Sequence, residues 1–418
     1  MSERILSPGV FSRENDLSFV TPAAGEISTA LVGPTTRGPV SIPTIVRSYG
    51  EYLNVFGGTF KSGSDYYSHF TTLTAEKYFE QGGSSLLVTR VSDQNFASAT
   101  SAVTSASVAL FTLKTISQGE IMNNSGSVGS NNSLNTGSAD NVRYEITSAN
   151  PSLGTLSLII RRGDDNEKNK IVLESYANLS LDPKSPNYIS KQIGDMYKAV
   201  AVDGAVSTEG EYPNVSKYVY VESVASKTPD YFDNNGQAKT AFSIYFNSGL
   251  AGTSGSDHGA FKNATGVLFY ATAAKFGSDA PSGTESQGID PTDSDAYALA
   301  KLTLGNRDEY RFNVLLTPGI YNSLHSTQVG AFVDLAEERG DLIYILDTVP
   351  YSGVITTATT EAAALNSSFA ATYWPWVKVR SQELGRDIWS PASTVMGGVL
   401  AFNDRVGAEW FAPAGLLR

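Results

Sequence analysis

The pattern of hydrophobic and polar positions divides the chain into stretches of two kinds. In residues 25–92, and again after about residue 260, short continuous apolar runs alternate with segments of helical periodicity. Between them, residues 93–259 show apolar and polar positions in alternation, with frequent Gly, Asp and Asn turns. Continuous runs are typical of parallel strands covered on both faces, whereas alternation is typical of antiparallel strands with one buried face. The pattern predicts an α/β unit interrupted by a β-rich insertion.

The first α/β stretch contains two predicted strands and an amphipathic helix. The strands are "ISTALVG" and "SSLLVTRV", with a further strand and a short helix in "PVSIPTIVRSYGEYLNVFGG". The helix is predicted for "SDYYSHFTTLTAEKYFEQGG", capped by Ser64 or Asp65, with Phe70, Leu73 and Phe79 on its apolar face. The Gly-Gly pair ends it.

The second α/β stretch repeats this alternation of strands and helices. Helices are predicted for "DSDAYALAKLTL" and "TQVGAFVDLAEERG", and strands for "RFNVLLTPG" and "DLIYILDTVP". A strand, helix and strand at this spacing form a right-handed crossover between parallel strands. The two α/β stretches are therefore expected to form one discontinuous domain.

The middle of the chain predicts an antiparallel β domain. Its candidate strands are "ALFTLKTI", "VRYEITS", "GTLSLIIRR", "KIVLESY" and "KYVYVES", with one helix near "PNYISKQIGDMYK". Residues 1–24 precede all of this and are too irregular for a helix and too short for a core. They are predicted to form an extended arm around a Pro-Gly turn.

Composition narrows the class of protein and of partner. The 418 residues are 17% charged, with 42 acidic against 30 scattered basic residues and a net charge of -12. This profile is typical of β-rich extracellular or particle-building proteins and disfavours binding to nucleic acid, which takes clustered Lys and Arg. No apolar run approaches the ~20 residues that span a bilayer, and the start lacks the apolar region of a signal peptide. Synthesis in a cytoplasm without Sec export or direct membrane binding is expected.

Candidate catalytic and metal-binding residues are few. Cysteine is absent, and His69, His258 and His325 are far apart without a second ligand at metal-binding spacing, so each is expected to be structural or on the surface. The stretch "GTFKSGS" lacks the Lys-Ser/Thr pair of a phosphate-binding loop, and no G-x-S-x-G elbow occurs. The acidic clusters "RRGDDNEKNK" and "GIDPTDSDAY" do not match a calcium loop. No catalytic residue, metal site or cofactor is therefore predicted.

Several Gly, Pro and aromatic motifs resemble those of contractile phage tail sheath proteins, in the same order along the chain. "LSPGVFSRE" is similar to the family's Pro-Gly-Val arm, "ALVGPTTRGPVSIPTIVRSYGEYLNVFGG" to its strand, Gly-Pro turn and short helix, and "KYFEQGGSSLLVTRV" to its helix, Gly-Gly stop and strand. "VLESYANLSLDPKSPNYISKQI" resembles its Ser-Pro-x-Tyr segment, "YWPWVKV" its aromatic-Pro-Trp strand, and "SPASTVMGGVLAFNDRVGAEWFAPAG" its helix and Ala-Pro-Ala-Gly turn. The matches extend from Leu6 to Gly415.

The resemblance implies a fold and a function. The expected fold is α+β and multidomain: a discontinuous α/β sheath core domain (25–92 and 260–418), an inserted β-rich domain (93–259) on the outer surface, and an extended N-terminal arm (1–24). The expected function is that of a structural virion protein, without enzymatic activity or cofactor, that polymerises around a tail tube and contracts to drive the tube through the host envelope. Related contractile injection systems use the same kind of sheath.

The resemblance also implies partners and a place of assembly. The partners are other sheath subunits in six-start helical rings, the tail tube protein, and the baseplate and tail terminator proteins. The virion tail would be assembled in the cytoplasm of a bacterial host. In the family, the N-terminal arm pairs with strands of a neighbouring subunit. The residues implied in this contact are Ile5, Leu6, Pro8, Gly9, Val10 and Phe11. An extended arm of this length reaches ~60 Å, enough to cross a neighbour; a disordered N-terminus is the alternative.

The last residues, "EWFAPAGLLR", resemble an internal junction of the family. There the α/β body leads into a C-terminal domain that lines the tube and receives the arms. Pro413, Gly415 and Leu416 are the junction residues implied, although Leu417-Arg418 replace the family's usual Asn-Arg. The expectation is that the chain lacks this C-terminal domain and by itself is monomeric, because the acceptor sheet is missing.

Two other classes of function stay open. A polysaccharide-degrading enzyme would need paired carboxylates in a cleft, and Asp164, Asp165, Glu167 and Glu174 form the only nearby cluster. A surface-layer or adhesin protein is the second alternative, which the missing signal peptide disfavours.

Overall fold

The computed structural model describes most of the chain. The described residues are 29–62, 65–91, 96–105, 107–247, 258–266, 274–275, 294–351, 353–383, 385–407 and 412. The expected arm contacts at Ile5, Leu6, Pro8, Gly9, Val10 and Phe11, and the expected junction at Pro413, Gly415 and Leu416, lie outside the described residues.

Helices and strands alternate at both ends of the chain, and strands dominate its middle. The first part forms β1 (Thr29–Gly33), β2 (Thr44–Val46), α1 (Tyr49–Phe56), β3 (Phe60–Ser62), β4 (Asp65–Ser68), α2 (Phe70–Glu80) and β5 (Leu86–Arg90). The middle forms β6 (Ser98–Ser105), β7 (Val108–Gln118), β8 (Val142–Asn150), β9 (Thr155–Arg162), β10 (Val172–Ser180), α3 (Ile189–Ile193), β11 (Tyr197–Val200), β12 (Val206–Glu209), β13 (Val219–Val224) and α4 (Thr240–Ser243). The last part forms β14 (Ala274–Lys275), α5 (Ser294–Leu304), β15 (Val314–Tyr321), α6 (Ser326–Arg339), β16 (Ile343–Asp347), α7 (Ile355–Leu365), β17 (Ala370–Thr372), β18 (Val377–Ser381), β19 (Arg386–Ser390) and α8 (Ser393–Val406).

The first and last parts share one six-stranded sheet in the order β17-β16-β15-β1-β5-β2. All neighbouring pairs are parallel except β2 with β5. The chain moves from β1 to β5 on one side and from β15 to β16 and β17 on the other, so the strand order reverses at the pair β1 and β15. The fold therefore mixes helices and several sheets around a doubly wound α/β sheet, and β1, β5, β15 and β16 form where continuous apolar runs predicted strands.

Both faces of the sheet are covered, which explains those continuous apolar runs. One face packs against α5 and α6 and includes Ala30, Leu87, Leu315, Tyr344, Phe332 and Leu335. The other packs against α1, α2 and α8 and includes Leu31, Val88, Leu316, Ile345, Tyr52 and Tyr78. Neighbouring residues of one strand thus enter opposite cores, as the alternation of side chains along a strand requires.

The helix predicted to begin at Ser64 or Asp65 begins later. Asp65 starts β4, which pairs with β3 and β14, and α2 begins at Phe70 with His69 as its cap residue. The rings of Phe60 and Tyr67 stack at 5.8 Å across the β3–β4 pair. Aromatic residues favour strands. Residues 65–68, which helical periodicity had assigned to α2, therefore form β4.

The insertion contains two antiparallel three-stranded sheets, β13-β7-β6 and β10-β9-β8, and the hairpin β11-β12. The two larger sheets share one hydrophobic core with α3, whose members include Leu113, Tyr144, Ile160, Ile189 and Val221. The helix predicted near "PNYISKQIGDMYK" is only one turn and a half long, because the chain enters β11 at Tyr197.

The segment that returns from the insertion runs along its strands. Ala260 bridges to Arg143 and Lys262 to Thr100, and Phe261 lies in the insertion's core. The division of the chain into domains stays a prediction. Residues 260–266, which it places in the α/β core, contact residues of the insertion.

Candidate functional site

The first candidate site is the carboxyl edge of the central sheet, where β1 and β15 lie side by side. In open α/β sheets, ligands bind at the carboxyl ends of the strands, at the point where the strand order reverses. Here that position is occupied by aromatic side chains of the chain itself. The ring of Trp376 meets Phe70 edge-on at 5.6 Å and stacks on Tyr321 at 6.0 Å, and its Nε1 donates to the carbonyl of Val349 at 3.2 Å.

The recess beside this aromatic cluster is small. It is lined by residues that include His69, Leu73 and Glu383, and its volume of about 10 Å³ leaves room for at most one water molecule. The β18–β19 hairpin closes it through Glu383, whose Oε1 accepts from the Tyr49 hydroxyl at 2.9 Å and whose Oε2 accepts from the Thr59 amide at 2.9 Å. The usual ligand position of this fold is therefore closed by protein.

One buried carboxylate lies at the end of β16. Asp347 is 3% exposed, and its oxygens accept from the amide of Ser393 at 3.3 Å and from its hydroxyl at 2.5 Å, at the first turn of α8. Burial raises the pKa of Asp347 to about 7, against the opposing effect of the bonds from Ser393. Asp347 thereby fastens the start of α8 to the sheet.

The nearby histidine does not complete a hydrolytic triad. In such a triad a histidine lies between the serine and the carboxylate, whereas Ser393 donates directly to Asp347. The Nδ1 of His325 accepts from the amide of Tyr321 at 3.0 Å, and burial lowers the pKa of His325. His325 therefore supports the turn that follows β15.

His69 is also enclosed by protein. It is 1% exposed, its ring lies 5.4 Å from that of Phe60, and neither ring nitrogen has a hydrogen-bond partner. Burial lowers the pKa of His69 to about 3, with a smaller contribution from the charge of Arg90. The imidazole is neutral near pH 7 and packs as an aromatic side chain.

Arg90 joins the α/β core to the insertion. Its Nη1 donates to the carbonyl of Gly38 at 2.7 Å and to that of Gln118 at 2.9 Å, and its guanidinium lies 5.0 Å from the ring of Phe96. The amide of Val40 donates to Gln118 Oε1 at 3.0 Å. The guanidinium is fully buried, which lowers the pKa of Arg90 to about 9. It acts as a structural link between the two sheets.

The acidic residues considered for glycan hydrolysis lie at one end of the insertion, but arginine and lysine side chains pair with most of them. Asp165 is buried and accepts from Arg161 through both oxygens, at 2.6 and 2.9 Å, while Arg143 approaches to 3.6 Å. Glu145 accepts from Arg161 at 2.6 Å and from Lys170 at 2.8 Å. A network of charge pairs, rather than a pair of free carboxylates, occupies this end of the insertion.

The remaining acids of this cluster have partners as well. Glu167 pairs with Lys170 at 2.6 Å, and that hydrogen bond lowers the pKa of Glu167, whereas a general acid needs a raised one. Asp164 pairs with Arg162 at 2.6 Å, and Glu174 accepts from the Ser216 hydroxyl at 2.6 Å. The geometry therefore disfavours a glycosidase centre at these four residues.

A wide groove lies between α1 and the insertion. Its volume is about 880 Å³, and three tyrosines, Tyr197, Tyr218 and Tyr220, line its insertion side. The rings of Tyr197 and Tyr220 stack at 5.6 Å, and the Glu51 carboxylate on the α1 side accepts from the amide of Arg47 at 2.7 Å. The groove has the size of a ligand site, and its lining also includes the carboxylate of Asp140, whose pKa is raised by burial.

Searches of the described part of the chain add two negative findings. Within those residues, no group of three or more His, Cys, Asp or Glu side chains is placed to hold a metal ion. No helix among them combines the length and apolar character needed to cross a membrane.

Comparison with protein-family models and with curated proteins finds no match. Among solved structures, the sheath tail protein of Desulfitobacterium hafniense is similar, with 11% sequence identity and a TM-score of 0.42 over 94% of this chain and 62% of that one. The sheath tail protein of Listeria innocua gives 11% identity and a TM-score of 0.41 over 91% and 57% of the two chains. The chain spans about three fifths of the length of these structures.

Proposed function

We propose that this chain is a subunit of a contractile tail sheath, or of the sheath of a related injection system. The proposal begins with the sequence motifs that resemble that family. In the fold, these motifs form structural elements and their turns: β1 with its Gly-Pro turn, α2 with the Gly-Gly pair that ends it before β5, and the start of α8. The observation that carries the proposal is the closed carboxyl edge, where Trp376, Tyr321 and Phe70 occupy the position that an α/β enzyme leaves open to its substrate.

The proposed mechanism is metastability of a lattice of rigid bodies. Weak, mostly polar contacts hold an extended helical tube, which converts to a shorter tube with more buried surface. Contraction then needs no nucleotide, metal or cofactor, because the free energy lies in subunit packing. Calorimetry on assembled tails tests this: contraction should proceed without ATP once it is triggered, and a dependence on ATP would contradict it.

The finer features of the proposal follow the sheath resemblance. Neighbouring subunits, the tail tube, the baseplate and the tail terminator are the proposed partners, and the virion tail is the proposed location. The N-terminal arm, through Ile5, Leu6, Val10 and Phe11, would add a strand to a neighbour's sheet, since main-chain hydrogen bonds can tie subunits while their bodies rotate. The insertion would face outward, where an added domain costs the lattice little.

Immunogold electron microscopy tests the proposal on native particles. An antibody raised against the insertion should label regularly along the outside of the tail. Labelling confined to the capsid or baseplate, or an antibody that reaches the tail only after the sheath is removed, would contradict the proposed role or orientation.

The enzyme alternative is tested by a turnover screen on bacterial glycans. The paired acids of the insertion predict no turnover above background. A surface-layer protein would be recognised by its assembly into planar arrays instead of helical tubes.

A further inference from the structure

A second surface lies beside the edge strand β17 of the central sheet, around α7. Five large apolar side chains are exposed here: Val354 59%, Ile355 55%, Leu324 48%, Trp374 44% and Tyr373 42%. Ile355 is the first residue of α7, and the other four come from the loops that follow β15, β16 and β17, which are neighbours in the sheet. Large apolar patches on a protein surface mark interaction sites.

Side-chain contacts hold these loops together in one surface. Asn322, in the turn that carries Leu324, donates through Nδ2 to Glu361 Oε2 of α7 at 2.8 Å. The loop before α7 meets the loop after β17 where Trp376 bonds the carbonyl of Val349 and packs on Tyr351 at 5.5 Å. We call this surface, with the exposed side of α7, the α7 face.

Most residues of the α7 helix are exposed to solvent. Ala358 is its one buried residue, and Thr356, Thr357, Thr359 and Thr360 are poor helix formers. The hydroxyls of Thr359 and Thr360 donate to the carbonyl of Thr356, at 3.0 and 2.8 Å. An isolated helix of this length is marginal in water, so α7 would gain stability from a covering partner.

Charge is nearly absent from this part of the chain. Residues 353–377 contain one charged side chain, Glu361, in a protein with a net charge of -12. Two copies of such a protein repel each other, and the repulsion is smallest where their charges are fewest. Depletion of charge is also the compositional mark of the centre of a protein interface.

The edge of the sheet beside α7 is open as well. Among the strands of the described ranges, β17 has one neighbour, β16, and its residues Ala370, Ala371 and Thr372 carry no charge. Proteins commonly protect exposed edge strands with charged side chains or proline. This edge lacks charge protection, as expected for a strand that another chain covers.

We propose that the α7 face is a contact surface for a second copy of this chain. The low charge of the α7 face favours a copy of the same acidic protein as its partner, because two acidic copies repel each other least there. A basic partner would instead be attracted to the acidic remainder of the surface. The inference rests on the proposed function in one respect: a lattice of identical subunits needs self-association surfaces.

Photo-cross-linking between isotopically light and heavy copies of the whole chain tests the inference. A photoreactive residue replaces Ala363, which is exposed on α7, and in the control replaces Ala298, which is exposed on α5. At about 1 mM, a contact with a Kd of that order is half occupied. We expect light–heavy cross-links at position 363 to exceed those at position 298 by about tenfold or more.

A disrupting variant and its matched control complete the test. Trp374→Glu should lower the yield at position 363 by about tenfold, whereas Ala298→Glu should leave it unchanged. Circular dichroism checks that both variants are folded. Equal yields at positions 363 and 298 would overturn the α7 face as a self-association surface. The proposed function is judged separately by labelling of particles, so the two can fail independently.

Discussion

Asp347 and His69 show how burial alone sets the charge of single residues in this protein. Burial raises the pKa of Asp347 to about 7 and lowers that of His69 to about 3. Asp347 therefore contributes stability that is lost as pH rises from 3.8 to about 7, because the folded state holds the proton more tightly. His69 acts in the opposite direction, and its contribution is lost as pH falls from 6.5 toward 3.

Replacing Asp347 by Asn isolates one of these two contributions. Relative to the unchanged protein, the free energy of unfolding of the Asp347→Asn variant should rise with pH between about 4 and 7, by on the order of 1 kcal/mol per pH unit. Urea unfolding at several pH values measures it. Asp387→Asn, at an exposed position of β19, is the control for the same change of side chain outside the core. A difference from the unchanged protein that is independent of pH would contradict the raised pKa.

The sequence does not predict which residues contact a buried group such as Asp347. The pattern predicted β16, which ends in Asp347, because both faces of that strand are buried. It could not predict the partner, because Ser393 lies 46 residues away and the bond depends on where α8 meets the sheet. The prediction that the histidines are structural or on the surface rested on missing ligand partners. His69 and His325 are both buried.

At the scale of elements, the hydrophobic pattern predicted helices and strands correctly where one face or both faces of the element are buried. It failed for α7, whose Thr and Ala residues have no apolar stripe, since only Ala358 is buried. It also placed the start of α2 too early, because Tyr66 and Tyr67 form β4. In the insertion, the strand pattern was visible but the charge network was not. Arg143 and Arg161 lie opposite each other across β8 and β9, and Asp165 compensates them from the following turn.

Two adjacent aspartates of this turn give a matched test of burial. Asp165→Asn should destabilise the protein by about 3–5 kcal/mol, because it removes the buried carboxylate that accepts from Arg161 through both oxygens and also faces Arg143. Asp164→Asn removes an exposed pair with Arg162 and should cost about 0–1 kcal/mol. Denaturant unfolding measures both, and equal effects would contradict the structural role assigned to Asp165.

The contact between α2 and the end of β1 is a second test at this scale. A Cβ added at Gly33 would lie 2.4 Å from Thr71 Oγ1, which is buried without a hydrogen-bond partner. Gly33→Ala should therefore cost about 1–3 kcal/mol through overpacking. In the Thr71→Ala background the same change should cost less, with a coupling of about 1–2 kcal/mol in a double-mutant cycle. Additive effects would show that α2 does not pack against β1 as described.

At the scale of the whole molecule, the chain combines a six-stranded α/β sheet, antiparallel sheets formed by the middle of the chain, and a face with one charged side chain, Glu361. The mixed fold was predictable because apolar runs and alternation occupy separate stretches of the sequence. The closed carboxyl edge was not predictable, since Phe70, Tyr321 and Trp376 meet only in three dimensions. That closure supports the proposed structural role.

The most direct test of this role is a helical reconstruction by electron cryomicroscopy of the particles that contain this chain. If the chain is a sheath subunit, the map should show a tube of repeating subunits into which the six-stranded sheet and its helices fit, with the insertion on the outer surface. Particles whose tube contains no copy of this chain, or in which the insertion lies against the inner tube, would contradict it.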